Sequence, residues 1–416
     1  MIWQVLVILL SLCAVRAHPA GPKARRETPT SLTVHAVPNP HYKVDGPREY
    51  LRALSKWGAD IPDALLEYTS TKGEITSVAA YNQTNDREYL SPVSIGNPPQ
   101  EVLLDIDTGS SDLWVFSSET VVQDPFPSRK KWNISQSATA KAVNGSGWSI
   151  IYGDGSYAMG TVWKDDVYLG GLAVHNAIVE SATTVSPFLV DDANISGLLG
   201  LAYRHASQVS PRQPTFLDLL EPQLANPVFT VDLRYHDVGL YQFGAVDHAR
   251  HVGNISWVPL SDGALFWQFA FSSLNVAPSN VWLLSTWPAI ADTGTSLLLL
   301  PPDLVELYYA QVPGAVIDPT YRLWVFPCDN PVLPDFHVGF VDGWHATIPG
   351  AYINYTALES TTPSVNGSWS LACLGGIQEN MGLSFSIFGD IFLKAVFAVF
   401  DREGAQVGFA DKSASV

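Results

Sequence analysis

Cations are what this sequence has least of. Its 23 lysines and arginines stand against 40 aspartates and glutamates, a net charge of −17, and charged residues of both signs reach only 15%. So acidic a chain repels polyphosphate, which excludes nucleic acid as a partner. Cysteine is scarce too, at three residues, which excludes a disulfide-dense miniature scaffold. Long apolar runs are missing. The first, Val5 to Val15, falls short of the ~20 residues a spanning helix needs, and Asp390 and Lys394 interrupt the most apolar later stretch. The C-terminal ADKSASV has no lipid-anchor tail, so no membrane anchor is expected. There is no G-x-S-x-G, no H-E-x-x-H and no P-loop, which removes three common hydrolytic and nucleotide chemistries. His248 and His251 lie three apart outside any clear ligand motif and read as surface histidines. Neither metal nor organic cofactor is expected.

What is present is a packed, β-forming chain. Hydrophobic residues make up 47%, with 13 Trp, 29 Pro and 31 Gly, the composition of strands joined by turns. The opening MIWQVLVILLSLCAVRA, with a small residue at Ala17, reads as a signal peptide over residues 1–17. That predicts secretion, with a vacuolar destination as the alternative. Cys13 leaves with this segment. Cys328 and Cys373 remain, a pair that an oxidising compartment would join, the alternative being two buried thiols. Closing that loop would contribute about 3–4 kcal/mol. Seven Asn-x-Ser/Thr sequons, at Asn82, Asn133, Asn144, Asn194, Asn254, Asn354 and Asn366, fit an exported glycoprotein.

Charge is divided unevenly along the chain. Residues 1–72 carry nine Lys/Arg against six Asp/Glu, and the remainder 14 against 34. A basic leader ahead of an acidic body predicts a pro-segment, residues 18–72, docked by opposite charge and loosened when acid neutralises the carboxylates. Helix-like spacing runs through EYLRALSKWG.

The body contains a duplication. IDTGSSDLWVF surrounds Asp107 and ADTGTSLLLLP surrounds Asp292; GLLGLAY, centred on Gly200, follows the first Asp by 93 residues, and SIFGDIFL, centred on Gly389, follows the second by 97. Chance would supply Asp-Thr-Gly-Ser/Thr about 0.01 times in such a chain. A period this long means two similar domains, not a solenoid. They are placed at residues 73–260 and 261–416, with strands such as EVLLDI and SLLLL and short helices near PTFLDLLEPQL and PPDLVELYYAQV.

Two carboxylates held close supply both an acid and a base. Like charges in contact resist joint ionisation, so the pair shares a proton. Amide hydrolysis needs that combination: the ionised member takes a proton from water, and the protonated member donates to the carbonyl oxygen. Gly109 and Gly294 allow the tight turns, and Ser110 and Thr295 can bond the outer carboxylate oxygens. Glycosidases also use two carboxylates, but do not call for a symmetric duplication of one loop. A fold retained for binding without turnover is the other rival, and intact Asp107 and Asp292 count against it.

At these motifs the sequence resembles the pepsin-like aspartic proteases, most closely the fungal penicillopepsin and aspergillopepsin group, from EYLSPVSIG at Glu88 to VGFAD near the end. DTGSSDLWVFS, IIYGDGSYAMG, IADTGTSLLLL, CLGGIQEN and FSIFGDIFLKAVFAVFD carry the likeness. The resemblance implies an all-β, bilobal fold, two similar β-rich lobes with a cleft between them and a β-hairpin flap. It implies a monomeric zymogen acting on proteins and peptides at acid pH, with its own pro-segment as inhibitor. Tyr152 matches the flap tyrosine and Trp114 the tryptophan that hydrogen-bonds it; Gly153 and Asp154 match substrate-contacting flap positions. Lys56 matches the pro-segment lysine that faces the catalytic pair, and Cys328 and Cys373 match the group's disulfide. Large hydrophobic P1 residues are implied, with Tyr152 and Phe188 around them. Asp154, assisted by the Ser156 hydroxyl, matches the feature that lets some members also accept Lys at P1. One departure stands out: Ser196 in DANISGLLG replaces the Asp of many relatives, which puts local loop packing in question.

Overall fold

The computed structural model describes residues 30–39, 44–71, 89–121, 129–152, 156–190, 195–319, 321–329, 332–358 and 372–414. The signal segment, the junction near residue 72, Gly153, Asp154, the Phe188 side chain, Asn82, Asn194 and Asn366 lie outside the described residues.

Strands dominate, and alternation explains how each sits. In Gln100–Asp107, Val102, Leu104 and Ile106 are fully buried while the residues between them are less so, the period of two that a pleated strand imposes. Among the described residues a 14-stranded sheet forms the body of the molecule, and seven-stranded and four-stranded sheets complete it. The same local plan appears twice. Gln100–Asp107 runs parallel to Gly197–Gly200, which pairs antiparallel with Leu113–Val121. Leu283–Ala291 runs parallel to Ser386–Phe388, which pairs antiparallel with Leu298–Leu300. Each Asp-Thr-Gly loop thus leaves one strand and crosses over another that ends near the downstream glycine. At that crossing Gly200 has no room for a side chain: a Cβ would sit 2.5 Å from the Asp112 nitrogen. The chain's last strands, Val396–Asp401 and Gln406–Lys412, return to the large sheet beside Val228–Asp232 and His251–Pro259.

The segment read as a leader is built into this fold. Leu32–Pro38 lies between Gly239–Phe243 and Tyr89–Ile95, bonded to both. A helix follows at Gly46–Trp57, started by Asp45, whose carboxylate accepts from the Arg48 N–H at 3.2 Å, and stopped by Gly58 in the left-handed conformation (φ 65°). Tyr50, Leu51 and Leu54 fall on one face and are fully buried. Each large apolar side chain so buried contributes about 1.5–3 kcal/mol. Apolar packing thus adds to the opposite-charge contact that the charge division pointed to, since Lys56 at the end of this helix meets Asp107 and Asp292.

Phe216–Leu220 is a short helix whose start the preceding proline marks only approximately. Thr215 is its cap, in a reciprocal capping box with Asp218. Ser196 settles into its loop: it is fully buried, and its hydroxyl accepts from the Leu103 N–H at 3.2 Å. Of the described sequons, Asn144 and Asn254 are exposed; Asn133 is half-buried and accepts from its own Ser135 hydroxyl, and Asn354 is half-buried. Among the described residues no helix is long and apolar enough to cross a membrane.

Cys328 and Cys373 form a disulfide, closing a separation of 45 residues with Cα atoms 5.0 Å apart. On the chain-entropy account a loop of that size contributes about 4 kcal/mol. Cys328→Ser/Cys373→Ser is therefore expected to lower the urea midpoint by the equivalent of about 2–4 kcal/mol. An unchanged midpoint would contradict it.

Candidate active site

The two Asp-Thr-Gly loops meet at the floor of a cleft, and their middle residues hold them together. The Thr108 N–H donates to Thr293 Oγ1 and the Thr293 N–H to Thr108 Oγ1, both at 3.0 Å. Each hydroxyl then donates across to the opposite strand, Thr108 to the Ala291 carbonyl at 2.8 Å and Thr293 to that of Ile106. All four groups are buried, so their mutual satisfaction fixes the spacing of the loops.

Asp107 and Asp292, both fully buried, face each other above this lattice. The Gly109 N–H donates to Asp107 Oδ1 at 2.8 Å and the Gly294 N–H to Asp292 Oδ1 at 3.0 Å. A Cβ at Gly109 would press on the Asp292 carboxylate, and one at Gly294 on that of Asp107, so glycine is needed for close approach. The symmetry is incomplete at the hydroxyls. Thr295 donates to Asp292 Oδ2 at 2.6 Å; Ser110 helps hold the Asp107 carboxyl down, but Asp107 Oδ2 lacks a hydrogen bond of standard geometry.

An ammonium lies between the carboxylates. Lys56, in the last turn of Gly46–Trp57, places Nζ 2.8 Å from Asp107 Oδ1 and 2.9 and 3.1 Å from the two oxygens of Asp292. Trp57 follows it in, donating Nε1–H to Asp292 Oδ2 at 3.3 Å and packing edge-on against Phe266 and Phe385. Burial alone would push Lys56 down, yet the two carboxylates reverse this and its pKa is raised, so it stays charged. Burial pushes Asp107 up, but the Lys56 charge and hydrogen bond outweigh it and hold Asp107 below the usual carboxylate range. Asp292 goes the other way: burial and the Asp107 charge keep it raised in spite of Lys56. Two like groups with displaced pKa values and one cation between them make an acid–base pair caught with its partner in place.

Residues 88–412 match the family of eukaryotic aspartyl proteases. The chain belongs to that family. Penicillopepsin-3 of Penicillium janthinellum is 39% identical over 412 residues, covering 98% of each chain. Aspergillopepsin-1 of Aspergillus fumigatus is 41% identical over 374 residues, 89% of each. Endothiapepsin of Cryphonectria parasitica is 40% identical over 393, covering 92% of this chain and 91% of its own.

In this aspartyl protease Tyr152 and Ser156 line the cleft, closed by a bond from the Tyr152 N–H to the Ser156 carbonyl at 2.8 Å. Trp114 lines it too, but the hydrogen bond expected from Trp114 to Tyr152 is not formed: Trp114 Nε1 is buried with no partner among the described residues. Its ring is instead fixed by Trp148, stacked at 6.1 Å, and Phe116 at 5.5 Å. The cleft retains about 300 Å³ around the lodged helix. Sequence reasoning passed over Thr108, Thr293 and Trp57. The first two carried a signal, the same middle residue in both copies of the tripeptide. It also passed over Asp105, which lines the cleft and is pushed well above the carboxylate range by burial and by Asp107 and Asp390.

Proposed function

We propose that this aspartyl protease is a secreted endopeptidase made as an inactive precursor, with Asp107 and Asp292 as its catalytic pair. The observation that carries this reading is the Lys56 ammonium within 3.1 Å of three oxygens of the two carboxylates. Once that lysine leaves, the same oxygens can hold a water. One carboxylate removes its proton while the other, protonated, donates to the scissile carbonyl as the tetrahedral gem-diol forms. Residues 1–17 would direct export and residues 18–72 would keep the body silent. Exposed Asn144 and Asn254 are the best placed of the described sequons for glycan. The test is hydrolysis of a denatured protein by the full-length precursor, neutral and then acidified, with and without a statine-type peptide. Acid-dependent, statine-sensitive cleavage is expected, and its absence after leader removal would overturn the reading.

The Tyr152 side of the cleft includes Trp114, Ile150, Leu189 and Leu198, an apolar surface suited to large hydrophobic P1 residues. We extend the proposal to Lys at P1 through Asp154, whose carboxylate would pair with an otherwise desolvated ammonium. Asp154→Asn is expected to lower cleavage after P1 Lys by about tenfold or more while sparing P1 Phe. The Lys preference should also fade as pH falls through the carboxylate range. Equal losses on both peptides would assign Asp154 to the flap turn alone.

A further inference from the structure

We propose that His248 and His251 form a surface site for one divalent transition-metal ion, of the class that imidazole nitrogen favours: Cu²⁺, Ni²⁺ or Zn²⁺. Neither residue lines the cleft. Three residues apart in sequence, they are brought together by a turn. The Arg250 N–H donates to the Asp247 carbonyl at 3.1 Å, and the Ala249 N–H to Asp247 Oδ1 at 3.0 Å, so the bend is closed twice. His248 rides exposed on this bend. His251 opens the strand His251–Pro259, anchored opposite Lys412 and stacked on the Phe397 ring at 5.4 Å. Both ends of the pair are therefore set by backbone before any ligand arrives.

His248 Nδ1 and His251 Nε2 lie 2.9 Å apart, with ring centroids 5.2 Å apart and planes at 67°. Two imidazoles on one tetrahedral ion, with bonds of about 2.0–2.1 Å, place their nitrogens roughly 3.3 Å apart and their ring centres a little over about 5 Å apart. The observed pair is set end-on for its hydrogen bond, since 2.9 Å plus two ring radii of about 1.15 Å already spans the 5.2 Å between centres; holding an ion takes a few tenths of an ångström of opening and a swing of each ring by roughly 35° off the line joining the nitrogens. As it stands, the contact requires one ring to donate to the lone pair of the other. A metal ion takes the place of that single proton and accepts both lone pairs. The nearby Arg250 charge is matched, since its guanidinium meets Asp232 at 3.0 Å and Asp247 at 3.4 Å.

The site is a two-nitrogen one. Among the described residues no group of three or more His, Cys, Asp or Glu is placed to hold a metal, so water fills the remaining positions. Among the described residues His251 Nδ1 is buried without a hydrogen-bond partner, and ligating histidines usually have that nitrogen oriented by a carboxylate or carbonyl. Affinity should accordingly be modest, strongest for Cu²⁺. Binding would tie the turn to the strand beside the C-terminal strand Gln406–Lys412. His337 and His345 provide a contrast: their ring centres are 5.8 Å apart, and His337 Nδ1 already meets the Thr347 hydroxyl at 3.0 Å.

The test is calorimetric titration of tag-free full-length precursor with Cu²⁺ and Zn²⁺ at neutral pH. Binding at His248 and His251 is expected to weaken by about tenfold or more in His248→Asn and in His251→Asn, and to persist in the double variant His337→Asn/His345→Asn. Zn²⁺ should raise the thermal midpoint of the wild type and not that of His248→Asn, because an ion bound only by the folded state stabilises it. Should His251→Asn fail to fold, the exposed His248→Asn still decides. No bound ion at about 1 mM, or His248→Asn binding as well as wild type, would overturn the proposal.

Discussion

Replacing Asp107 or Asp292 by asparagine is expected to lower peptide hydrolysis by about 10²–10⁴-fold, because either change removes one member of an acid–base pair. The geometry makes the two losses equivalent in kind. Each carboxylate receives an N–H from the glycine two residues on, and each is buried at the same crossing, so neither can stand in for the other. An asparagine keeps the shape and the acceptor oxygen, and the threonine lattice beneath does not depend on the carboxylate charge. The fold should survive, with a circular dichroism spectrum like that of the wild type. The measurement is cleavage of a quenched peptide at about pH 4 after leader removal. Either variant retaining more than about a tenth of the wild-type rate would contradict the assignment.

Lys56→Ala is expected to make the precursor leak. Removing one partner from a buried charge cluster costs about 3–5 kcal/mol, or roughly two to four orders of magnitude in the docking equilibrium. Tyr50, Leu51 and Leu54 would still hold the helix, so the loss should appear as activity at neutral pH before any cleavage, not as a released leader. The pH dependence has a definite sign. Lys56 is raised, so it does not titrate in the range of interest; the carboxylates do. Asp107 is held below its ordinary value, so the stabilisation it gives the contact is fully present above the ordinary aspartate pKa of about 3.9 and is lost as pH falls through the lowered one. Wild-type precursor should therefore stay silent until pH drops below about 4, and Lys56→Ala should begin to act at higher pH. A variant no leakier than wild type, with the same onset, would remove Lys56 from the mechanism.

The repeated Asp-Thr-Gly loop and its distant glycine were legible because both answer to hard constraints: a turn that must approach its twin, and a strand that must cross it. Gly109, Gly294 and Gly200 each lack space for a Cβ, and only that residue type fits. Alternation made the strands readable in the same way. Contacts between residues distant in sequence were not. Nothing local to Thr108 says that its hydroxyl will cross to Ala291, 183 residues away. Trp114 illustrates the opposite failure: the motif gave the residue, but its ring is set by Trp148 and Phe116 packing against it. For the leader, the charge count pointed to the Lys56 contact with Asp107 and Asp292 but not to the apolar helix face on which Tyr50, Leu51 and Leu54 are buried.

Lys56 and the body it occupies are one chain, and that gives the contact a property its distances do not reveal. While the peptide chain between them is unbroken, the lysine meets the carboxylates at an effective concentration set by the tether and not by the solution. Dilution cannot loosen it. Cut the chain anywhere between Trp57 and Asp107, and the same three oxygens compete for a separate molecule whose concentration falls with the solution's. One hydrolysed bond thus turns a first-order equilibrium into a second-order one, and a contact that was independent of concentration becomes subject to it.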